Sequence, residues 1–357
     1  VKAIVVRPGE AGTIHMRDMP DPAMKPDQVA VKVLQVGLCA TDLEIAHGLY
    51  GKAPAGDDLL ILGHENVGVV EDVGARVTGF KPGDVVVSTV RRPCAVCPQC
   101  KAGENDMCSS GQYSEHGIMR LHGFMAQFYT GSPQYLIKIP KALRDIAVLL
   151  EPMSVVEKGI DHAFVLQRRF VWKPEAGLVL GAGPIGLLAA AVLRARGLRT
   201  VLVSREDSSD ERAQIVRQFG AQYESSVNRT LADIVRDTGA PDILIEATGN
   251  AHVAFEAMQV LGSNGVMCLL SVTPGEAVTP EPIDRINRQF VIGNQVVFGS
   301  VNANPRHFVT GIKDFSRLEK AYPGALRRLL DNQIRWDQYQ RWFGDTRSGI
   351  KSTLVIE

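Results

Sequence analysis

Four cysteines stand within fifteen residues: Cys94, Cys97, Cys100 and Cys108. Thiolates separated by two, two and seven residues can close a tetrahedral shell around Zn2+, the usual structural arrangement. An iron–sulfur cluster is the rival, because three cysteines at this spacing also open the bacterial ferredoxin run. That run needs its fourth cysteine after three residues and followed by proline; here the gap is seven and Ser109 follows. Structural zinc is the better reading. A second constellation is dispersed: Cys39-Ala40-Thr41-Asp42, Gly63-His64-Glu65 and Glu151-Pro152. A cysteine, a histidine and a carboxylate, all at turns, offer S, N and O ligands with a fourth position open, the layout of a catalytic zinc. Spacing alone does not bring them together; singly, Cys39 reads as a core thiol and His64 as a loop histidine. The third motif is Gly181-Ala182-Gly183-Pro184-Ile185-Gly186, between Leu178-Val179-Leu180 and the helical run Leu187 to Leu193. Glycines there permit a tight turn and close backbone approach, and the helix N-terminus offers amides to a pyrophosphate. A dinucleotide site is expected.

The elements that must position these residues change character along the chain. In the first half Val29 to Val36 alternates, Ile61 to Val73 is punctuated by glycine, and Asp84 to Val90 follows the turn Lys81-Pro82-Gly83. This predicts an irregular β-rich domain. After about residue 155, apolar strands at 178–181, 200–204, 242–248 and 265–271 alternate with helical patterns at 185–196, 211–219, 253–261 and 305–330. That alternation predicts a doubly wound parallel sheet, so the fold class is α/β. Residues 350–357 return to a strand pattern. The expected division is a zinc-binding domain at 1–160, a Rossmann domain at 161–298 and a return to the first at 299–357.

Composition narrows the function classes. Among 357 residues, Lys plus Arg and Asp plus Glu are 39 each, so no net charge draws the chain to nucleic acid or to anionic membranes. The longest apolar stretch, Leu178 to Leu193, is interrupted by Gly181, Gly183, Pro184 and Gly186 and is too short to span a bilayer. The opening Val-Lys-Ala-Ile-Val-Val-Arg alternates like a first strand and has no secretory h-region. A cytoplasmic protein is expected. Isolated Cys268, in an apolar run, reads as a buried strand residue.

Together these residues resemble the zinc-dependent medium-chain dehydrogenase/reductase family. Gly63-His64-Glu65-x2-Gly68-x5-Gly74-x2-Val77 is similar to its zinc signature, and Cys94 to Cys108 to its structural-zinc lobe. The resemblance implies a GroES-like catalytic domain joined to a Rossmann domain, and assembly as a homodimer or homotetramer. It implies catalytic-zinc ligands at Cys39, His64 and Glu151, with Glu65 as a second-sphere or exchanging ligand and Thr41 as the hydroxyl that relays the substrate proton. Within the family, Thr89 to Pro93, Gly111 to Ile118, His122 to Met125, Glu151 to Lys158 and Gly299 to Asn302 resemble glucose (aldose) dehydrogenases known chiefly from archaea. This implies oxidation of an aldose at C1 to the lactone, with glucose the leading substrate. Glu115, Glu151 and Asn302 would then contact sugar hydroxyls or the zinc. Their other readings are a solvated loop carboxylate for Glu115 and a turn cap for Asn302. Some relatives carry a sugar-binding aspartate where this chain has Val155. The rival readings are another zinc-dependent polyol or secondary-alcohol dehydrogenase, and a non-catalytic zinc- and nucleotide-binding redox sensor.

For the cofactor the resemblance implies contacts from Gly181, Gly183, Pro184, Ile185, Gly186, Ser204, Arg205, Thr248 and Asn302. NAD-specific Rossmann folds place an acid about 20 residues past the glycines to bind both ribose hydroxyls. Here Ser204-Arg205-Glu206 stands where NADP-using relatives have Asn-Arg-Arg. Ser204 does not repel a 2′-phosphate and Arg205 can pair one. The expectation is NADP preferred and NAD tolerated. The competing reading leaves Arg205 in solvent and gives the ribose hydroxyls to Glu206.

Overall fold

Valines 29, 31 and 33 alternate with Ala30 and Lys32, and in the computed structural model of the chain all three valines are fully buried. The structure describes residues 1–273, 278, 282–344 and 349–356. The chain forms two compact units: Val1–Ser154, Asn302–Ile312 and Leu329–Glu357 make up the first, Val155–Val301 and Lys313–Arg328 the second.

In the first unit the strand Val29–Gly37 is the hub of a seven-stranded sheet among the described residues. It pairs antiparallel with Glu65–Val73, with Phe128–Gly131 and with the chain's last strand, Ser352–Val355. The register sets Gly37 opposite Glu65 on one side and Thr353 on the other. Two far-apart stretches of chain are thereby brought to the same point. Beneath the sheet lies a core that includes Phe124, Met125, Trp342, Leu354 and Ile356. A smaller sheet joins Arg91–Arg92, Ser114–His116 and Arg120–Leu121.

In the second unit six strands are all parallel, in the order Gln222–Ser225, Arg199–Ser204, Ala176–Leu180, Ile243–Glu246, Val266–Leu269, Val296–Gly299. Ala176–Leu180 and Ile243–Glu246 are buried at every position, as strands covered on both faces must be. The helix Pro184–Ala195 starts at Gly183 with Pro184 in its first turn, and Leu187 to Leu193 are buried without a break. Each large side chain among them contributes roughly 1.5–3 kcal/mol by leaving water. The α/β reading with a parallel Rossmann-type sheet therefore holds. Among the described residues no helix is long and apolar enough to cross a membrane.

The division departs from the expected limits at 160, 298 and 299. Residues 155–160 and 299–301 go with the second unit, and 313–328 return to it. The helices Leu150–Leu166 and Pro305–Ala321 run through the boundaries, so no loop marks them. Within the second unit Arg196 lies 3.7 Å from Asp314, and Arg328 donates to Gln218 at 2.9 Å. The helix expected over 305–330 stops at Ala321, since Pro323 and Gly324 (φ +74°) cannot continue it. A 3-10 turn follows at Arg327–Leu329.

The glycine turn is sterically closed at one position and open at another. A Cβ on Gly186 would lie 1.9 Å from the Gly181 carbonyl oxygen, whereas one on Gly183 would meet nothing within 4 Å. Gly186→Ala is expected to cost about 1–3 kcal/mol by overpacking and to lower the thermal midpoint by several degrees. Gly183→Ala should keep the midpoint and weaken only dinucleotide binding; calorimetry and a cofactor titration on the two variants check this.

Candidate active site and metal centres

The sulfurs of Cys94, Cys97, Cys100 and Cys108 lie within 4.8 Å of one another, and all four are free thiols. Local backbone aims them. Cys97 caps the short helix Pro98–Lys101 and its Sγ accepts the Cys100 N–H at 3.4 Å; Cys94 Sγ accepts the Cys97 N–H at 3.4 Å. The Cys97 and Cys108 sulfurs are 3.9 Å apart. A tetrahedron with Zn–S of about 2.3 Å has an edge of about 3.8 Å. The Cys100 N–H holds the Cys97 thiol down to about 5, and the Ser110 hydroxyl with backbone N–H groups brings Cys94 down to about 7. Burial pushes the Cys100 thiol the other way, up to about 12, so it is the convergence of the four sulfurs that fits a structural zinc.

The second cluster joins Cys39, His64 and Glu65, whose ligand atoms also lie within 4.8 Å. Cys39 is the N-cap of the helix Ala40–Ala46, and its own N–H donates to Asp42 Oδ2 at 3.0 Å. Thr41 Oγ1 is 4.0 Å from Cys39 Sγ. His64 is buried, with Nδ1 3.4 Å from Asp42 Oδ1. Glu65 occupies space that only a glycine opposite can leave, because a Cβ on Gly37 would sit 2.1 Å from Glu65 Oε2. Glu151, second residue of the helix Leu150–Leu166, lies outside the 4.8 Å group. Burial pushes its carboxyl up to about 7; His64 and Lys351 pull it down, while Glu65 and Glu115 push it further up. Glu151 thus feels the charges of the cluster, and Glu65 rather than Glu151 is the carboxylate within it. One thiol, one imidazole and two carboxylates form a donor set that fits zinc.

Beside this cluster Glu115 is a buried ion-pair member, not a solvated loop carboxylate. Arg91 reaches its Oε1 through Nε at 3.0 Å and through a terminal nitrogen at 2.9 Å, and Asn302 Nδ2 donates to the same oxygen at 2.6 Å. The Arg91 guanidinium stacks on Tyr113 at 3.9 Å. Asn302 has φ +62°, and its Oδ1 accepts the Ala303 N–H at 2.8 Å, so it also fills the turn-capping role.

In the second unit Gly181 (φ +99°), Gly183, Pro184, Ile185 and Gly186 form the turn into the buried helix. The open space over Gly183 fits close approach of a pyrophosphate. Ser204 ends its strand with its hydroxyl donating to the Glu206 carboxylate. Arg205 is exposed and has no partner among the described residues. Thr248 donates to Glu246 Oε1 through both its N–H (2.7 Å) and its hydroxyl (2.6 Å).

Residues 144–356 match the family model for the glucose dehydrogenase C-terminus, and 25–141 that for the alcohol dehydrogenase GroES-like domain. The chain is 40% identical to glucose 1-dehydrogenase of Methanocella arvoryzae, over 100% of this chain and 99% of the relative. It is 42% identical to glucose 1-dehydrogenase 1 of Caldivirga maquilingensis over the same shares. The chain belongs to the glucose dehydrogenase branch of the medium-chain dehydrogenase/reductase family. The solved structure of Haloferax mediterranei glucose dehydrogenase in complex with NADP, Zn and gluconolactone superposes with a TM-score of 0.90 at 32% identity, covering 100% of this chain and 99% of that one.

Against the family pattern, three residues of this site escaped sequence reading. Asp42 was visible in its motif but not as the partner of His64. Lys351, fully enclosed, donates to Glu65 Oε1 at 2.6 Å and to the Leu38 carbonyl at 2.9 Å. Arg91 neutralises Glu115. A basic residue inside an apolar strand pattern, as in Ile350-Lys351-Ser352, is the one signal that could have pointed to Lys351.

Metal analysis separates the two centres. Cys94→Ser should lose one zinc per chain and destabilise the fold, since a closed thiolate shell contributes folding energy directly. Cys39→Ser should lose the other zinc and turnover while keeping its thermal midpoint. Purified protein free of zinc, or Cys39→Ser with full turnover, contradicts the assignment.

Proposed function

We propose that this protein oxidises an aldose at C1 to its lactone, with D-glucose the leading substrate and NADP the preferred hydride acceptor. The observation that carries the reading is the Glu115 carboxylate: three protein donors fall on Oε1, beside the Cys39–His64–Glu65 cluster, and Oε2 is left for a sugar hydroxyl. Full-length similarity to a glucose dehydrogenase solved with NADP, Zn and gluconolactone supports it. Cys39, His64 and Glu65 or Glu151 would hold a zinc that supplies Lewis acidity toward the anomeric hydroxyl, and a bound nicotinamide would supply the hydride acceptor. The chain's own groups do the rest. Thr41 takes the hydroxyl proton outward. Glu115, its charge balanced by Arg91, fixes the ring, and Asn302 holds Glu115 in place. Lys351 keeps a cation against Glu65, so that two carboxylates can share one small site.

NAD is tolerated in this reading because Glu206 already sits against Ser204, where a ribose hydroxyl would bind. A homodimer or homotetramer is supported by the edge strand Val296–Gly299, whose outer side is unpaired among the described residues, and by exposed Val291 and Ile292. Six free thiols fit a reducing, cytoplasmic setting.

Glu115→Gln is expected to raise KM for glucose about tenfold or more with zinc content unchanged, since a charged hydrogen bond contributes roughly 1.5–3 kcal/mol. An unchanged KM would leave Glu115 as a purely structural ion pair. An aldose and simple-alcohol panel tests the substrate class: activity on simple alcohols and none on aldoses overturns it. For the cofactor, Arg205→Ala should cut kcat/KM for NADP about fivefold and leave NAD nearly unmoved. A wild-type ratio favouring NAD sinks the preference.

A further inference from the structure

Leu49 and Tyr50 are 75% and 44% exposed on the loop after the helix Ala40–Ala46. They are not on a loose tip. Gly48 (φ +73°) and Gly51 (φ +93°) bracket them, and neither position admits a side chain without crowding. A Cβ on Gly48 would lie 2.9–3.1 Å from the backbone of residues 9–11, and one on Gly51 would lie 3.0–3.3 Å from Ile45 and the Ile118 carbonyl. Backbone bonds clamp both ends: Leu49 N–H to Glu44 O at 2.9 Å, Lys52 N–H to Ile118 O at 3.0 Å, and Arg120 N–H to Lys52 O at 2.7 Å. Lys52 bridges Met119, and Met119 exchanges both backbone bonds with Glu115, at 2.7 and 3.0 Å. Tyr50 is thus fixed two residues from a bridge whose other side holds Glu115. Its hydroxyl has no hydrogen-bond partner among the described residues. Burial, then the nearby Glu115 carboxylate and Tyr113, keep the phenol's pKa above its ordinary value, so at neutral pH it is an O–H donor. An aromatic ring with a polar tip, pre-ordered and left without a partner, is suited to a ligand that is apolar on one face and hydroxylated at its rim.

We propose that Tyr50 is a specificity-determining residue of the sugar site: its hydroxyl binds a ring hydroxyl next to the one held by Glu115, and its ring covers the sugar's C–H face. This rests on the aldose reading above. The test pairs wild type, Tyr50→Phe and Tyr50→Ala with glucose and its 2-, 3-, 4- and 6-deoxy analogues. Tyr50→Phe should raise KM for glucose about fivefold with kcat within about twofold. It should also lose its discrimination against one deoxy analogue and keep it against the others, a readout that a merely structural role would not move. Tyr50→Ala should raise KM further, with zinc content and thermal midpoint unchanged. If wild type oxidises glucose and Tyr50→Phe discriminates among the analogues as wild type does, the Tyr50 role is overturned and the reaction stands. If wild type oxidises no aldose, the reaction reading fails and Tyr50 falls with it.

Discussion

A single carboxylate shut away from water ties together the two turns that carry Cys39 and His64. Asp42 accepts the Cys39 N–H at 3.0 Å and the Gly63 N–H at 3.3 Å, and it faces His64 Nδ1 at 3.4 Å. Burying an ionised carboxylate without partners costs several kcal/mol, so Asp42 is tolerable only with these donors in place. The turn carrying Cys39 and the turn carrying His64 are therefore not independent. Burial pushes the His64 imidazole toward its neutral form, but Asp42 and Cys39 outweigh burial and hold its pKa well above the usual histidine value. The proton that this pocket attracts marks the place where a cation is wanted, and a metal ion and a proton compete for the same imidazole lone pair.

The same rule of paired burial organises the rest of the first unit's site. Glu65 has Lys351, and Glu115 has Arg91. Each anion's partner comes from another part of the chain, so the charges are balanced only in the folded state. Glu151 has no ion-pair partner among the described residues, and burial leaves its carboxyl pushed up to about 7. Cys39 and Glu151 are the donors left over when the protein's own pairs are counted. A dication at that place would stabilise the ionised form of both, which explains why the donor set holds more anionic capacity than its neighbouring residues neutralise.

What could be read from the sequence follows the range of the forces involved. The four-cysteine lobe and the glycine turn were legible because ligands and backbone constraints lie within fifteen and six residues. Val29, Val31 and Val33 announce a strand by alternation, and Leu178-Val179-Leu180 by continuous burial. The Lys351–Glu65 pair spans 286 residues and depends on the register that sets Gly37 between Glu65 and Thr353. No local pattern encodes that register. Missed elements have equally specific reasons. Gln222–Ser225 is a polar edge strand whose only buried residue is Tyr223, so its neighbour Arg199–Ser204 makes it a strand. Ile283–Gly293 fully buries only Ile286, with Phe290 partly buried against the same core, and its other apolar residues Ile283, Val291 and Ile292 stay exposed.

At the cofactor end of the second unit, one hydroxyl proton sets the balance. A serine has a single O–H to donate. In this structure Ser204 gives it to Glu206, and the Glu206 carbonyl is itself held by the Tyr223 hydroxyl at 2.8 Å. A 2′-phosphate would have to take the Ser204 donor away from a carboxylate and then sit beside that like charge. Arg205, exposed and without a partner among the described residues, offsets this by pairing the phosphate. Exposed charge pairs contribute only about 1 kcal/mol. Gain and loss have opposite sign, and a gain of about 1 kcal/mol falls short of the roughly 1.4 kcal/mol that tenfold in affinity needs. In the proposed reading, a strand end that carries both an arginine and a glutamate would separate the two cofactors by a modest factor, whereas either residue alone would separate them by a larger one.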